Sequence, residues 1–228
     1  MSNDTYISLI ASLPIAGDLF TSKQTPLSRL SLEARLRSLN DEDAPLLKKI
    51  EDLLRWVNKP MEATDAEFIQ HAKHLLEELD NEFISNLVME RLSLRTALVA
   101  LRKRKRGDSV PQSGELWGAG RWVNHIQRYW SEPTFRLEGI YPWISEANRL
   151  LGADDTIGLE RLILSEVWDS LGRASEGHYF DFEAVIIYVM RWDVIARWTS
   201  YSGKEAVERF NNLVESGLGE HADLFALH

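Results

Sequence analysis

Apolar residues recur along this chain at intervals of three and four far more often than they alternate, the spacing that gathers side chains on one face of a helix. Leu27, Leu30, Leu32 and Leu36 predict one helix; Leu46, Leu47, Ile50, Leu53, Leu54 and Val57 predict a second, entered through Asn40-Asp41 and closed by Pro60. Thr64-Asp65-Ala66-Glu67 has the form of a capping box and opens a third helix that runs to about Leu79. From Asn81, the positions of Phe83, Leu87, Leu94, Leu98 and Leu101 predict a long helix that ends in basic residues and stops at Gly107. Further helices are expected at about 115–130, 142–151, 156–171, 179–200 and 203–216, with Pro142 in a first turn and Gly152 and Gly217 as stops. Residues 5–13, partly β-branched and ended by Pro14, show neither period well and form either a short strand or a buried extended segment.

The stretch 179–200 is apolar on nearly all sides. Phe182, Val185, Val189, Trp192 and Ala196 follow one helical face, and Ile186, Val194, Ile195 and Trp198 widen it, so this helix belongs at the centre of a core. Its charged residues Glu183, Arg191, Asp193 and Arg197 occur singly, and each must reach solvent or find a partner. The expected fold is therefore all-α, a multi-helix bundle with a short extended N-terminal segment. Residues 107–114, with Pro111 and no apolar periodicity, are the best boundary between a leucine-rich module (1–107) and a Trp-rich one (108–228), unless the two form one continuous domain.

Composition narrows the function. Twenty-six basic against 35 acidic residues give a net charge of −9, which opposes general attraction to nucleic acid or anionic lipid. The absence of Cys excludes disulfides and thiolate chemistry and fits a reducing cytosol. Apolar runs such as 184–190 fall short of the roughly 20 residues a spanning helix requires. No Lys or Arg precedes Lys23, so the basic start of a secretory signal is missing and a cytoplasmic location is expected.

Arg102, Lys103, Arg104, Lys105 and Arg106 form a basic run on an otherwise acidic chain, more cations than are needed to offset a helix dipole. They are the candidate partner-binding residues, for an acidic protein surface or simply a solvated helix end. His71 and His74, with Glu67 and Glu78 at helical distance, could offer metal ligands on one face, but read equally as an exposed face with i,i+4 contacts; no metal or cofactor is assigned. His178 reads as a cap near the start of the core helix, and Asp181 and Glu183 as first-turn carboxylates rather than an acid-base pair. No P-loop, Gly-x-Ser-x-Gly or Cys nucleophile occurs, so no catalytic activity is expected. Trp117, Trp122, Tyr129, Trp130 and Trp143 line either a ligand groove or a core, and Gly118-Ala119-Gly120 permits close backbone packing.

The segment His178-Tyr179-Phe180-Asp181-Phe182-Glu183-Ala184-Val185-Ile186-Ile187-Tyr188, followed by Ile195-Ala196-Arg197-Trp198, resembles the C-terminal signature of a bacterial family of unknown function whose genes accompany V/A-type rotary ATPase subunits. Residues 6–14 resemble that family's opening, and 92–101 with the basic run resemble its middle. The resemblance implies a non-catalytic adaptor similar to the C (or d) component of V-type ATPases, which seats the central stalk on the membrane rotor ring. It implies a location at the inner face of the cell membrane, held there through protein contacts alone. The C components are generally longer, with three helical modules where this chain has room for two. A regulatory or ligand-sensing helical module is the alternative, and a metal-dependent helical enzyme a more distant one.

Overall fold

The computed structural model describes residues 3–55, 65–112 and 114–200. Among them the chain is helical and contains no strand: α1 (Asn3–Ser12), α2 (Arg29–Leu36), α3 (Asp43–Leu54), α4 (Asp65–Glu78), α5 (Glu82–Lys105), α6 (Val123–Arg128), α7 (Trp143–Gly152), α8 (Thr156–Ala174) and α9 over 182–200. The expected all-α class is what the chain adopts. Val57, Pro60, the Thr64 cap and the helix expected over 203–216 with its Gly217 stop lie outside the described residues.

Local chemistry sets the helix starts. Ser28 accepts from the Ser31 amide, the Asn40 side chain from Glu42 and Asp43, Asn81 from Ile84, and Asp155 from Gly158, each satisfying a donor that the first turn leaves unpaired. α5 stops as expected, with Gly107 at φ +82.

Two expectations are corrected. The N-terminal segment is a helix rather than extended: Leu9 and Leu13 are buried one turn apart and Tyr6 donates to Asp43, so docking decides a stretch whose own pattern is ambiguous. Residues 115–130 are helical only in α6, because Gly118 and Gly120 lie flat against α5. There the Ala119 amide donates to Thr96 Oγ1 (2.9 Å), Thr96 returns its hydroxyl to the Ala119 carbonyl (2.5 Å), and the Arg121 amide donates to Ser93 Oγ (2.9 Å). This crossing satisfies Ser93 and Thr96, which are both buried.

One apolar cluster, from Leu9 to Ile195, runs through both halves of the sequence. α5 packs against α3 and α4 on one side of the 107–114 segment and against α6 and α7 on the other, while α7 and α8 lie along each other. α9 binds elements from the whole length of the chain. Asn81 donates to Glu183 (2.7 Å), Tyr188 to the Pro14 carbonyl (3.0 Å), Trp192 Nε1 to the Leu27 carbonyl (2.9 Å) and Arg197 to Glu160 (2.5 Å). Of its four charged residues, Glu183, Asp193 and Arg197 have polar partners and Arg191 sits over the Trp168 ring at 4.9 Å.

The Trp-rich half uses its rings as core. Trp117 and Trp143 are buried, Trp117 meets Trp130 edge-on at 6.0 Å, Trp130 packs on Phe135 at 5.7 Å, and Trp122 and Tyr129 pack at the edge of the same cluster. Phe135 and Arg136 adopt left-handed backbone at φ 55 and 57, and this turn drives the Phe135 ring fully inside.

Candidate functional site

Successive residues of a helix point about 100° apart, so a run of five cations cannot present one flat patch. Arg104 turns inward, donating to the Glu132 carbonyl and lying 5.4 Å from the Phe135 ring centre, and partial burial lowers its pKa. Lys105 reaches α7, donating to the Leu151 carbonyl (2.5 Å) and pairing with Asp154; Arg106 pairs with Asp108 at 2.8 Å. Arg102 is exposed and Lys103 half-buried, and these two with Arg106 are the cations of the run best placed for an outside partner. Arg104→Ala should therefore lower stability by about 1–2 kcal/mol, since it removes a charge-assisted hydrogen bond and a ring contact. Chemical denaturation would show this, and a midpoint equal to that of the parent would show that the contact contributes nothing.

At the start of α9, Gly177 (φ +89) turns the chain so that His178, Asp181 and Glu183 bring ligand-type atoms within 4.8 Å of one another. Every one of them is already engaged. His178 Nδ1 donates to Asp181 Oδ2 (2.7 Å), Asp181 Oδ1 accepts from the Ala184 amide (2.8 Å), Glu183 accepts from Asn81, and Phe83 packs on the imidazole at 4.2 Å. The cluster is a cap that pins the core helix to the start of α5. Beside it Tyr179 and Phe180 project outward, 67% and 47% exposed. On α4, His71 and His74 are exposed, and Glu78 is shared between His74 (3.0 Å) and Lys49 (2.6 Å), the arrangement of a solvated ion-pair face.

A network of charged side chains lies between α2, α3, α5 and α9. Arg29 grips Glu51 with both nitrogens (2.6 and 3.0 Å), Arg55 approaches the same carboxylate at 3.4 Å, and Arg55 also faces Asp193 at 3.7 Å. Glu51 is buried, and its hydrogen bonds are the chief cause that holds the Arg29 pKa above its ordinary value. Asp193 is pushed up to about 6 by burial and by Glu51, against the opposing pull of Arg55, Arg29 and Arg91. Arg91 is pushed down to about 10, again mainly by burial.

Beside this network opens a cleft of about 280 Å³ between α3, α4 and α5. Among the described residues four arginines line it, Arg55, Arg91, Arg95 and Arg102, over apolar walls that include Leu53, Phe68 and Leu98. Arg95 stacks on Phe68 at 3.7 Å. The basic run gives Arg102 the wrong neighbours: positions 91, 95 and 102 share one face of a helix, a signal present in the sequence, whereas Arg55 joins them only through the packing of α3 on α5.

Residues 9–218 match a family described as a protein of unknown function (DUF2764). No curated protein and no solved structure matches the chain. Because the match takes in the packed helices described above almost in full, the chain belongs to that family.

Proposed function

We propose that this protein is a non-catalytic adaptor of a bacterial V/A-type rotary ATPase, similar in role to the C component of V-type enzymes, that joins central-stalk subunits to the membrane rotor ring from the cytoplasmic side. The resemblance of its three sequence segments supports this reading. The observation that carries it is α5: 24 residues, about 36 Å long, packed by helices from both halves and ending in outward cations at the surface of an acidic protein. Such a helix is a stiff lever whose end can meet an acidic partner by charge complementarity. No helix among the described residues is long and apolar enough to cross a membrane, so attachment would run through other subunits.

The test is recovery of ATPase subunits with a tagged chain from its native host. Arg102→Glu, Lys103→Glu and Arg106→Glu together should leave the circular dichroism spectrum unchanged and cut recovery of stalk or ring subunits about tenfold, much of it through slower association. Arg104 is kept, because it holds the fold. Equal recovery would remove the basic end from the interface, and a rotary ATPase that assembles and turns over normally in a strain lacking this protein would end the adaptor reading.

A further inference from the structure

Tyr179 and Phe180 stand apart from the other aromatic side chains. Among the described residues every other Trp, Tyr and Phe is buried or half-buried, whereas these two lie side by side in solvent at the start of α9. Neither has a ring contact or a side-chain hydrogen bond among the described residues, so the pair forgoes the burial free energy that the rest of the set gains. Their surroundings are acidic. The bond from Asn81 to Glu183 and the packing of Phe83 on His178 set the pair beside the start of α5, where Asp80 and Glu82 are exposed, as is Glu176 just ahead of it. Burial, and after it Asp43, Glu183 and Asp181, push the Tyr6 phenol up, which marks a negative field shared by α1, α3 and α9. The Lys or Arg nearest in sequence, Arg173, lies on α8 and acts on Glu166. The opposite end of α5, about 36 Å away, carries the outward cations Arg102 and Lys103.

We infer that Tyr179 and Phe180 form a docking surface for a basic amphipathic segment of a partner protein, whose apolar side chains cover the two rings and whose Lys or Arg side chains meet the surrounding carboxylates. Rings of this kind supply large contact area at low entropic cost and anchor many protein interfaces. Charge selects the partner. Carboxylates around the pair repel an acidic protein or an anionic lipid surface and speed encounter with a basic one, and a cation can also rest on a ring face. A second copy docked symmetrically would bring the same acids face to face. The two ends of α5 thus bear opposite charge and select different partners, as joining two subunits requires. The inference deepens the adaptor reading and rests on it for which subunits are joined; the chemistry of the surface rests on Tyr179, Phe180 and their acids alone.

The experiment follows, by fluorescence anisotropy, a labelled helical peptide of Leu and Lys with its leucines on one face, and the same peptide with Glu in place of Lys, titrated with the full chain. The Lys peptide should bind and weaken with salt, and the Glu peptide should not bind. Tyr179→Ser combined with Phe180→Ser changes no charge, so it separates the rings from general attraction to an acidic protein; it should weaken the Lys peptide about tenfold. Val110→Ser, an exposed apolar residue beyond the far end of α5, should leave binding unchanged. Both rings are exposed, so the circular dichroism spectrum of the double variant should match that of the parent; if it does not, Tyr179→Ser alone serves, with a loss of several-fold expected. Equal binding of the Lys peptide by parent and ring variants, or no binding at all, overturns the inference. So does self-association, or binding to phosphatidylcholine vesicles, that the ring variants abolish, since either assigns the rings to a different occupant. In the native host the double variant should lose about tenfold of a subunit other than the one lost through the basic end. Recovery of no ATPase subunit by the parent, with peptide discrimination intact, ends the adaptor reading and leaves this surface standing.

Discussion

Gly120→Ala is expected to destabilise this protein by about 4 kcal/mol, the sum of two costs that act at the same atom. Gly120 has φ +110, a backbone state that L side chains adopt only under strain, commonly about 1–3 kcal/mol. A methyl group there would also stand 2.7 Å from the Ser93 amide nitrogen and 2.8 Å from its Cα, and closer still to its hydroxyl. Backbone atoms in the middle of α5 cannot move aside without breaking the helix, so the clash adds overpacking of similar size. The crossing would lift, and with it the bonds from Ala119 to Thr96 and from Arg121 to Ser93. In a thermal melt the midpoint should fall by about 10 °C for a chain of this length. Gly107→Ala separates the two causes: φ is +82 but nothing lies within 4 Å of the added carbon, so only about 1 kcal/mol is expected. Equal effects of the two substitutions would show that the contact with α5 is unimportant.

The second large effect is a dependence on pH centred on Asp193. Its folded pKa of about 6 lies above the value of about 3.9 for an unfolded Asp, so the native state takes up a proton first as pH falls. The sign follows directly. The contribution of protonated Asp193 to stability is fully present below about pH 4 and is lost as pH rises through about 6, with a ceiling near 3 kcal/mol for a shift of about two units. Asp193→Asn keeps the shape, removes the titration and relieves the repulsion from Glu51. Urea unfolding of both proteins at pH 5 and pH 7.5 should show the variant gaining on the parent by about 1.4 kcal/mol between the lower and the higher pH. Parallel stability profiles would mean that Arg55, Arg29 and Arg91 compensate the Asp193 carboxylate in full.

These two effects also mark where the sequence is legible and where it is not. The helices can be read from spacing because Leu47, Ile50 and Leu53, or Leu87, Leu94 and Leu98, repeat at a period that no strand shares, and the caps at Asn40, Asn81 and the Gly107 stop are local chemistry. α1 escapes such a reading because its helix depends on Leu9, Leu13 and Tyr6 finding partners elsewhere in the chain. The glycines at 118 and 120 announce a close approach, but nothing local says what approaches; Ser93 and Thr96 supply the answer from more than twenty residues upstream. The same holds for charge. Arg102 to Arg106 look like one patch in the sequence, yet Arg104 and Lys105 are directed to Glu132 and Leu151, and Arg102 joins Arg91, Arg95 and Arg55 in a cleft between three helices. Glu51 and Asp193 meet only because α3 and α9 are neighbours in space, 142 residues apart in sequence.

The hydrogen bonds from Tyr188 to Pro14 and from Trp192 to Leu27 span 174 and 165 residues. During synthesis the Pro14 and Leu27 carbonyls therefore leave the ribosome long before the donors that will finally meet them. Two of the bonds that hold the N-terminal elements therefore form only once α9 has been made, and until then the newborn chain is open to aggregation or chaperone capture.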